Sequence, residues 1–146
     1  MNPARRLFVD TVYLLAAFDE TDDWSSAARD VSNLFATSPL VTTDGVISEF
    51  LASCSRTGPS HRARATIHVQ ELKSSPRVEV VELTTALVNE GIAAYAGEFR
   101  YTRLSLQDCI SILVMRQRGI SEALTADREF TLAGINVLMQ APDAWG

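Results

Sequence analysis

Short apolar runs alternate with segments of helical periodicity along the chain, and this alternation restricts the fold more than any other feature. The first run, Leu7-Phe8-Val9, stops at Asp10. Four further runs predict strands at residues 40–43, 78–83, 123–125 and 135–138. Continuous apolar runs are typical of strands buried on both faces, and strands separated by helices are typical of a parallel sheet. The sequence therefore predicts an α/β fold with a mainly parallel sheet.

Helices are predicted between the strands, with capping residues at several of their starts. The predicted segments are residues 12–18, 24–35, 46–54, 60–73, 85–100 and 106–118. We expect caps from residues 21–23 for the second segment, from Thr43 or Asp44 for the third and from Thr84 or Thr85 for the fifth. Ser105 with an acid three residues later predicts a capping box before the last segment. No linker separates these elements, which predicts a single domain over residues 1–146.

Composition agrees with a globular domain that folds without a metal or a disulfide. A chain of 146 residues with 47% hydrophobic side chains buries about two-thirds of its unfolded surface. Cys54 and Cys109 stand apart from any metal-binding spacing, so we expect two buried, reduced thiols. The longest uncharged stretches are shorter than a membrane span, and Asp10 interrupts the signal-like start. We therefore expect no membrane association and a cytoplasmic location.

The excess of acidic over basic residues restricts the class of function. The chain has 18 acidic residues against 13 Lys and Arg, a formal net charge of −5. That argues against a protein that coats nucleic acid by bulk charge, but it leaves a metal-dependent nuclease open. Most of the acids have polar neighbours. Four stand at the ends of apolar segments or inside them: Asp10, Glu49, Asp108 and Asp127.

These four carboxylates are predicted to gather at one crevice. In open parallel sheets the binding crevice lies beyond the carboxyl ends of the strands, where the strand order reverses. If the first and fourth strands are neighbours there, Asp10 and Asp127 project into it, with Asp108 beside them on a helix. Glu49 completes the ring from a helix segment whose apolar neighbours suggest a mostly buried surface. Each acid alone also fits an ordinary role as a strand end or in a first helical turn.

A cluster of carboxylates requires a counter-charge to remain ionised. A hard divalent cation with a preference for oxygen ligands supplies it, which favours Mg²⁺ or Mn²⁺. Zinc is disfavoured because no His or Cys cluster accompanies the acids.

Four ordered motifs resemble those of PIN-domain nucleases, most closely the VapC toxin type, and the resemblance spans essentially the whole chain. The motifs are Leu7-Phe8-Val9-Asp10-Thr11, Val46-Ile47-Ser48-Glu49-Phe50-Leu51, Leu104-Ser105-Leu106-Gln107-Asp108-Cys109 and Leu124-Thr125-Ala126-Asp127-Arg128-Glu129-Phe130. No single motif is specific, and their order and spacing carry the resemblance. It implies a three-layer α/β/α sandwich with the first and fourth strands side by side.

The resemblance also implies roles for individual residues. Asp10 and Asp108 would be direct metal ligands, Asp127 a direct or water-mediated ligand, and Glu49 the residue that orients a metal-bound water. Thr11 and Thr125 match small hydroxyl residues that support such sites. The reaction implied is hydrolysis of RNA phosphodiester bonds.

Basic and aromatic side chains near the motifs are candidates for RNA contacts. Those for the RNA backbone are Arg56, Arg62, Arg64 and Arg128, with Arg100 and Arg103 near the Asp108 motif. A solvated helix-face charge is the alternative for each arginine. The aromatic candidates for base stacking are Trp24, Tyr95, Phe99 and Tyr101, with core packing as the alternative. We expect His61 and His68 to be surface residues outside the chemistry.

The leading hypothesis is a metal-dependent endoribonuclease that acts as the toxin of a VapBC-type toxin–antitoxin pair. By the resemblance we expect a homodimer and a small cognate antitoxin, with the helical surfaces at residues 24–35 and 93–99 as candidate contacts. One alternative is a non-toxic RNA-processing nuclease of the same fold. Another is a non-enzymatic Mg²⁺-binding regulatory module, which the absence of a Lys at the end of the last strand disfavours.

Overall fold

The computed structural model of the protein describes residues 5–140. The strands are β1 (Leu7–Val9), β2 (Leu40–Thr43), β3 (Val78–Val81), β4 (Glu122–Leu124) and β5 (Asn136–Val137). The helices are α1 (Thr11–Phe18), α2 (Ser25–Leu34), α3 (Asp44–Ser53), α4 (Pro59–Ser74), α5 (Thr85–Ala96) and α6 (Leu106–Gln117), with a 3-10 helix at Arg128–Ala133. All five predicted strands are therefore present; β1 and β2 have the predicted ends, and β3, β4 and β5 differ from them by one or two residues.

The strands form one sheet in the order β3-β2-β1-β4-β5, and every pair in it is parallel. Leu7 pairs with Leu40 on one side of β1, and Val9 pairs with Leu124 on the other. From β1 the chain first adds strands on the β2 side and later on the β4 side, so the strand order reverses between β1 and β4. The predicted adjacency of the first and fourth strands is confirmed.

Helices cover the sheet and bury its central strand. The side chains of β1 are fully buried, as its unbroken apolar run predicts. Helix α1 packs against α2 and α3, α3 packs against α4, and α5 packs against α6. The architecture is a central parallel sheet flanked by helices, which confirms the predicted α/β/α fold class.

Three helix boundaries show that local chemistry in one helix and tertiary packing in another decide where a helix starts or stops. The Ser105 capping box is present, and α6 ends at Gln117 as predicted within one residue. Helix α5 ends at Ala96 rather than near residue 100, because the chain turns at Gly97 and the Phe99 N–H donates to the Ala94 carbonyl at 2.9 Å. That turn buries the Phe99 ring, so tertiary packing ends the helix early.

The second helix starts without the predicted side-chain cap. Trp24 occupies the capping position of α2, and no side chain accepts from the first turn. The Asp22 carboxylate accepts from the Trp24 N–H at 2.8 Å and so shapes the preceding turn instead. The prediction of a cap from residues 21–23 is therefore wrong for that helix.

Both cysteines follow the prediction. Cys54 and Cys109 are buried and unpaired, and burial raises the pKa of each thiol. Among the helices of residues 5–140, none combines the length and the apolar character that a membrane crossing requires.

Glu122 is a fifth acid in an apolar setting, and the sequence analysis did not single it out. It begins β4 and is 8% exposed. The Arg5 guanidinium pairs with both of its carboxylate oxygens. This pair lies at the start of β4, whereas Asp127 follows the end of that strand, so Glu122 belongs to the opposite edge of the sheet.

Candidate active site

Asp10 is the most buried of the four predicted carboxylates. It follows β1, occupies the N-terminal capping position of α1 and is 4% exposed. Its backbone N–H donates to the Leu124 carbonyl at 3.3 Å, and the Thr125 hydroxyl donates to Asp10 Oδ2 at 2.7 Å. The end of β4 therefore fixes both the backbone and the side chain of Asp10.

Thr125 also holds the chain that leads to Asp127. The Thr125 side chain is fully buried, and its Oγ1 accepts from the Asp127 N–H at 3.2 Å. Asp127 then begins the 3-10 helix, where its Oδ1 accepts from the Glu129 N–H at 3.0 Å. One hydroxyl thus links Asp10 and Asp127 across the reversal of strand order, where the sequence analysis places them.

Asp108 comes to this edge of the sheet on the first turn of α6. Its Oδ2 accepts from the Ser105 N–H at 2.9 Å, and the Ser105 hydroxyl accepts from the Asp108 N–H at 3.1 Å. The side chain is half-buried. The capping box therefore sets the orientation of this carboxylate as well as the start of the helix.

Glu49 joins the group through Thr11. The Thr11 hydroxyl, in the first turn of α1, donates to Glu49 Oε1 on α3. The prediction of a mostly buried surface at Glu49 is wrong, because this residue is exposed. Ile47 and Phe50 turn towards the core, whereas Ser48 and Glu49 lie on the solvent side of α3.

Electrostatics shows that the four carboxylates share one environment. The pKa of Asp10 is raised to about 6, first by burial and then by the negative charges of Asp108 and Glu49, against the hydrogen bond from Thr125. The pKa of Asp108 is also raised, first by burial and then by the charges of Asp127 and Glu49. Mutual repulsion between the carboxylates disfavours ionisation of Asp10 and Asp108.

The donor chemistry of this group fits a hard divalent cation. Within residues 5–140, no three acidic, histidine or cysteine side chains are arranged closely enough to enclose an ion. The groups that affect one another electrostatically are nevertheless all carboxylates, and a cation among them would offset the repulsion that contributes to the raised pKa of Asp10. The residues fit magnesium or manganese by ligand type and not zinc.

The four predicted RNA-backbone arginines differ in their positions. Arg128 is exposed and directly follows Asp127. Arg62 donates to the Ser55 carbonyl at 3.2 Å, and Arg64 lies over the Phe18 ring at 5.8 Å. Arg56 is exposed after the end of α3. In the described part of the chain, none of these arginines forms an ion pair with the four carboxylates.

The histidines lie in an aromatic cluster apart from the carboxylates. The ring centroid of Phe18 is 5.2 Å from that of His61 and 5.4 Å from that of His68. His68 also packs against Phe50, and burial lowers its pKa. The expectation of surface histidines is wrong for His68, because α4 turns it towards the aromatic rings of α1 and α3.

Sequence analysis missed a polar contact next to Asp108. The Gln107 amide donates to the Thr43 hydroxyl at 3.3 Å and lies 3.4 Å from the Ser111 hydroxyl. A Cβ atom on Gly45 would lie 2.0 Å from Gln107 Oε1. At position 45 only a glycine leaves room for this amide where it lies. Gly45, in the first turn of α3, was therefore the residue in the sequence that could have indicated this contact.

The fold and the crevice together define a parallel α/β domain with an acidic site at the switch point of its sheet. A comparison with protein-family models matches residues 7–135 to the PIN domain. The chain belongs to the PIN-domain family, and the resemblance inferred from its motifs is confirmed.

Solved structures of similar fold cover almost the whole chain. VapC20 from Mycobacterium tuberculosis, a sarcin-ricin loop cleaving toxin, superposes with a TM-score of 0.79 at 22% identity, over 92% of this chain and 99% of that one. PAE2754 from Pyrobaculum aerophilum gives 0.59 at 18% identity, over 92% and 87%. FitAcB from Neisseria gonorrhoeae gives 0.61 at 11% identity, over 90% and 96%. A search of the curated proteins finds no match.

Proposed function

We propose that this protein is a metal-dependent endoribonuclease and the toxin of a VapBC-type toxin–antitoxin pair. The observation that carries the nuclease proposal is the linkage of Asp10 and Asp127 through Thr125, with Asp108 and Glu49 in the same electrostatic environment. Membership of the PIN family and the similarity of the fold to a toxin that cleaves the sarcin-ricin loop support the proposal.

The protein's own contribution is to hold four carboxylates in fixed orientations. Each of them accepts a hydrogen bond at one named oxygen. The pairs are Thr125 to Asp10, Thr11 to Glu49, Ser105 to Asp108 and Glu129 to Asp127. These hydrogen bonds keep the carboxylates in place before substrate arrives, which lowers the free energy needed to assemble the site.

In this proposal Asp10 and Asp108 hold Mg²⁺ or Mn²⁺ directly, Asp127 holds it directly or through water, and Glu49 orients the attacking water. When bound, the ion lowers the pKa of a water and neutralises charge that builds on the phosphate oxygens. Glu49 is suited to the water-orienting role because it is the most exposed of the four and is held by Thr11.

The proposed partners follow from the same function. RNA is the substrate, and Arg128 is the predicted backbone contact that stands next to a site carboxylate in the chain. A small antitoxin would inhibit the enzyme, and a second copy of the chain would form a homodimer in the cytoplasm. Helix α2 and the end of α5 remain the proposed contact surfaces.

Cleavage of a structured RNA by the purified protein tests the nuclease proposal. We expect cleavage with Mg²⁺ or Mn²⁺, loss of cleavage with a chelator, and loss of at least 100-fold in rate for Asp10→Asn and Asp108→Asn. Asp30→Asn is the matched control, because Asp30 is an exposed acid on α2. Cleavage that persists with chelator or in Asp10→Asn would overturn the metal mechanism.

Expression in a bacterial host tests the toxin proposal separately. We expect growth arrest from the wild-type chain and normal growth from Asp10→Asn at equal protein level. Normal growth with an active wild-type enzyme would favour a processing nuclease. Calorimetric Mg²⁺ binding without any RNA cleavage would favour the regulatory module.

A further inference from the structure

The segment that joins α5 to α6, residues 97–104, holds an aromatic ring in solvent. Tyr101 is 90% exposed, whereas Phe99 and Leu104 on either side are 4% and 3% exposed. The two buried side chains fix both ends of the segment in the core. Because Tyr101 is exposed, it does not have the core-packing role that was the alternative for this residue.

Hydrogen bonds within the segment hold its shape. The Thr102 N–H and hydroxyl both donate to the Phe99 carbonyl, at 3.0 and 2.7 Å. The Leu104 N–H donates to the Thr102 hydroxyl at 3.2 Å. The Tyr101 ring is thus presented by a backbone that is already organised, which reduces the entropy lost when a ligand stacks on it.

The same segment borders the carboxylates. The Arg103 N–H donates to Glu129 Oε2 at 3.1 Å, and the Glu129 N–H donates to Asp127 Oδ1 at 3.0 Å. Two residues further on, the Ser105 N–H donates to Asp108 Oδ2 at 2.9 Å. Residues 97–104 are therefore linked to Asp127 through Glu129, and the residue that follows them, Ser105, holds Asp108.

Positive charge accompanies the ring. The Arg100 guanidinium carbon lies 4.7 Å from the centroid of the Tyr101 ring, and the Arg100 Nη1 donates to the Gly97 carbonyl at 2.7 Å. Arg103 is exposed. An exposed ring with Arg100 over one face and Arg103 two residues along the chain presents stacking and charge together, on a chain whose formal net charge is −5.

Building on the proposed function, we propose that residues 97–104 form a nucleotide-binding subsite for single-stranded RNA next to the cleavage site. One unpaired base stacks on Tyr101, and Arg100 and Arg103 contact the phosphates that flank it. Recognition of unpaired RNA by aromatic stacking with arginine contacts to the backbone is the chemistry that this arrangement matches.

Steady-state cleavage of a short single-stranded RNA, chosen from a mapped cleavage site, tests the subsite. We expect Tyr101→Ala to raise KM about tenfold with little change in kcat, because stacking stabilises the bound substrate and the transition state alike. Tyr101→Phe keeps the ring and should keep the KM. Ile67→Ala is the control, because Ile67 is a large apolar side chain on α4 that is 53% exposed and is assigned to no RNA or partner contact.

Binding at several salt concentrations tests the arginines. The same labelled RNA is titrated against Asp10→Asn, alone and combined with Arg103→Ala. We expect the second variant to bind more weakly and to reduce the slope of log Kd against log salt by about 0.7, the value for one phosphate contact on a single strand. An unchanged slope would contradict a phosphate contact at Arg103.

The outcomes separate this inference from the proposed function. An unchanged KM in Tyr101→Ala, in an enzyme that cleaves RNA, would overturn the subsite and leave the nuclease proposal intact. RNA binding that depends on Tyr101, in a chain that never cleaves RNA, would support the subsite and overturn the nuclease proposal. Thermal unfolding of Tyr101→Ala should match the wild type, since this side chain is 90% exposed.

Discussion

The Thr125 hydroxyl donates to the Asp10 carboxylate at 2.7 Å, and so joins the ends of β4 and β1. Both residues are buried, and the same Thr125 oxygen accepts from the Asp127 N–H. A single side chain therefore orients one carboxylate and fixes the backbone of another at the point where the strand order reverses.

Thr125→Val tests this relationship, because valine keeps the shape and removes the hydroxyl. The hydrogen bond from Thr125 lowers the pKa of Asp10, so its loss should raise that pKa above its present value of about 6. We expect the acidic limb of the profile of kcat/KM against pH to move to higher pH, with about a tenfold loss of kcat at neutral pH.

Thr125→Ser is the control for the hydroxyl. Serine retains a donor at the same position, so its pH profile should follow the wild type even if the lost methyl lowers stability. An acidic limb that stays in place in Thr125→Val would show that the hydroxyl does not tune Asp10.

Asp10→Asn should stabilise the metal-free protein at neutral pH while it abolishes activity. Below the ordinary pKa, near 3.8, Asp10 is protonated in both the folded and the unfolded chain. As pH rises from there to about 6, Asp10 ionises in the unfolded chain while it stays protonated in the folded one, so folding stability falls. Above about pH 6 Asp10 is ionised in both states, and the loss is complete. The loss amounts to about 3 kcal/mol at neutral pH, which asparagine avoids.

Urea unfolding in the presence of a chelator measures this effect at pH 4, 5, 6 and 7. The wild type should lose stability relative to Asp10→Asn between pH 4 and about 6, and the two should run parallel from there to pH 7. Asp30→Asn serves as control for the change from Asp to Asn, because Asp30 is an exposed acid on α2. A constant difference between wild type and Asp10→Asn at all four pH values would contradict the assignment.

The position of Asp10 and Asp127 at one edge of the sheet was predictable from sequence for a physical reason, whereas the adjacency of β1 and β4 was implied by the resemblance to PIN-domain nucleases. Buried parallel strands have unbroken apolar runs, and an acid after such a run has to lie at the carboxyl edge of the sheet. Asp10 after β1 and Asp127 after β4 follow this rule directly. The Ser105 capping box likewise depends on residues within one turn of helix, which a sequence displays.

The remaining features depend on packing between distant segments. The exposure of Glu49 depends on which face of α3 meets the core, and its apolar neighbours did not reveal that. The buried Glu122 is paired by Arg5, from a segment 117 residues away. The contact of Gln107 with Thr43 likewise joins residues 64 apart in the chain.

Ser105→Ala tests how far the capping box orients Asp108. The substitution removes the hydroxyl that accepts from the Asp108 N–H, which should cost about 1 kcal/mol of folding stability. The backbone N–H of residue 105 that donates to Asp108 Oδ2 remains, so we expect kcat and KM to change far less than in Asp108→Asn. Ser105→Thr keeps an acceptor and should retain both stability and kcat, as measured by thermal unfolding and steady-state cleavage.

Gly45→Ala tests the contact between the first turns of α3 and α6. An added Cβ would lie 2.0 Å from Gln107 Oε1, so the Gln107 amide has to move away from Thr43. The clash is with the end of a flexible side chain, so we expect a loss of no more than about 1 kcal/mol in stability, for the hydrogen bond to Thr43, and a fall in kcat because Gln107 precedes Asp108. Gln107→Ala removes the clashing amide, so Gly45→Ala should cost less stability in the Gln107→Ala background than in the wild type. Urea unfolding of the two single variants and the double variant measures this coupling, and additive effects would show that Gly45 is not required by the Gln107 side chain.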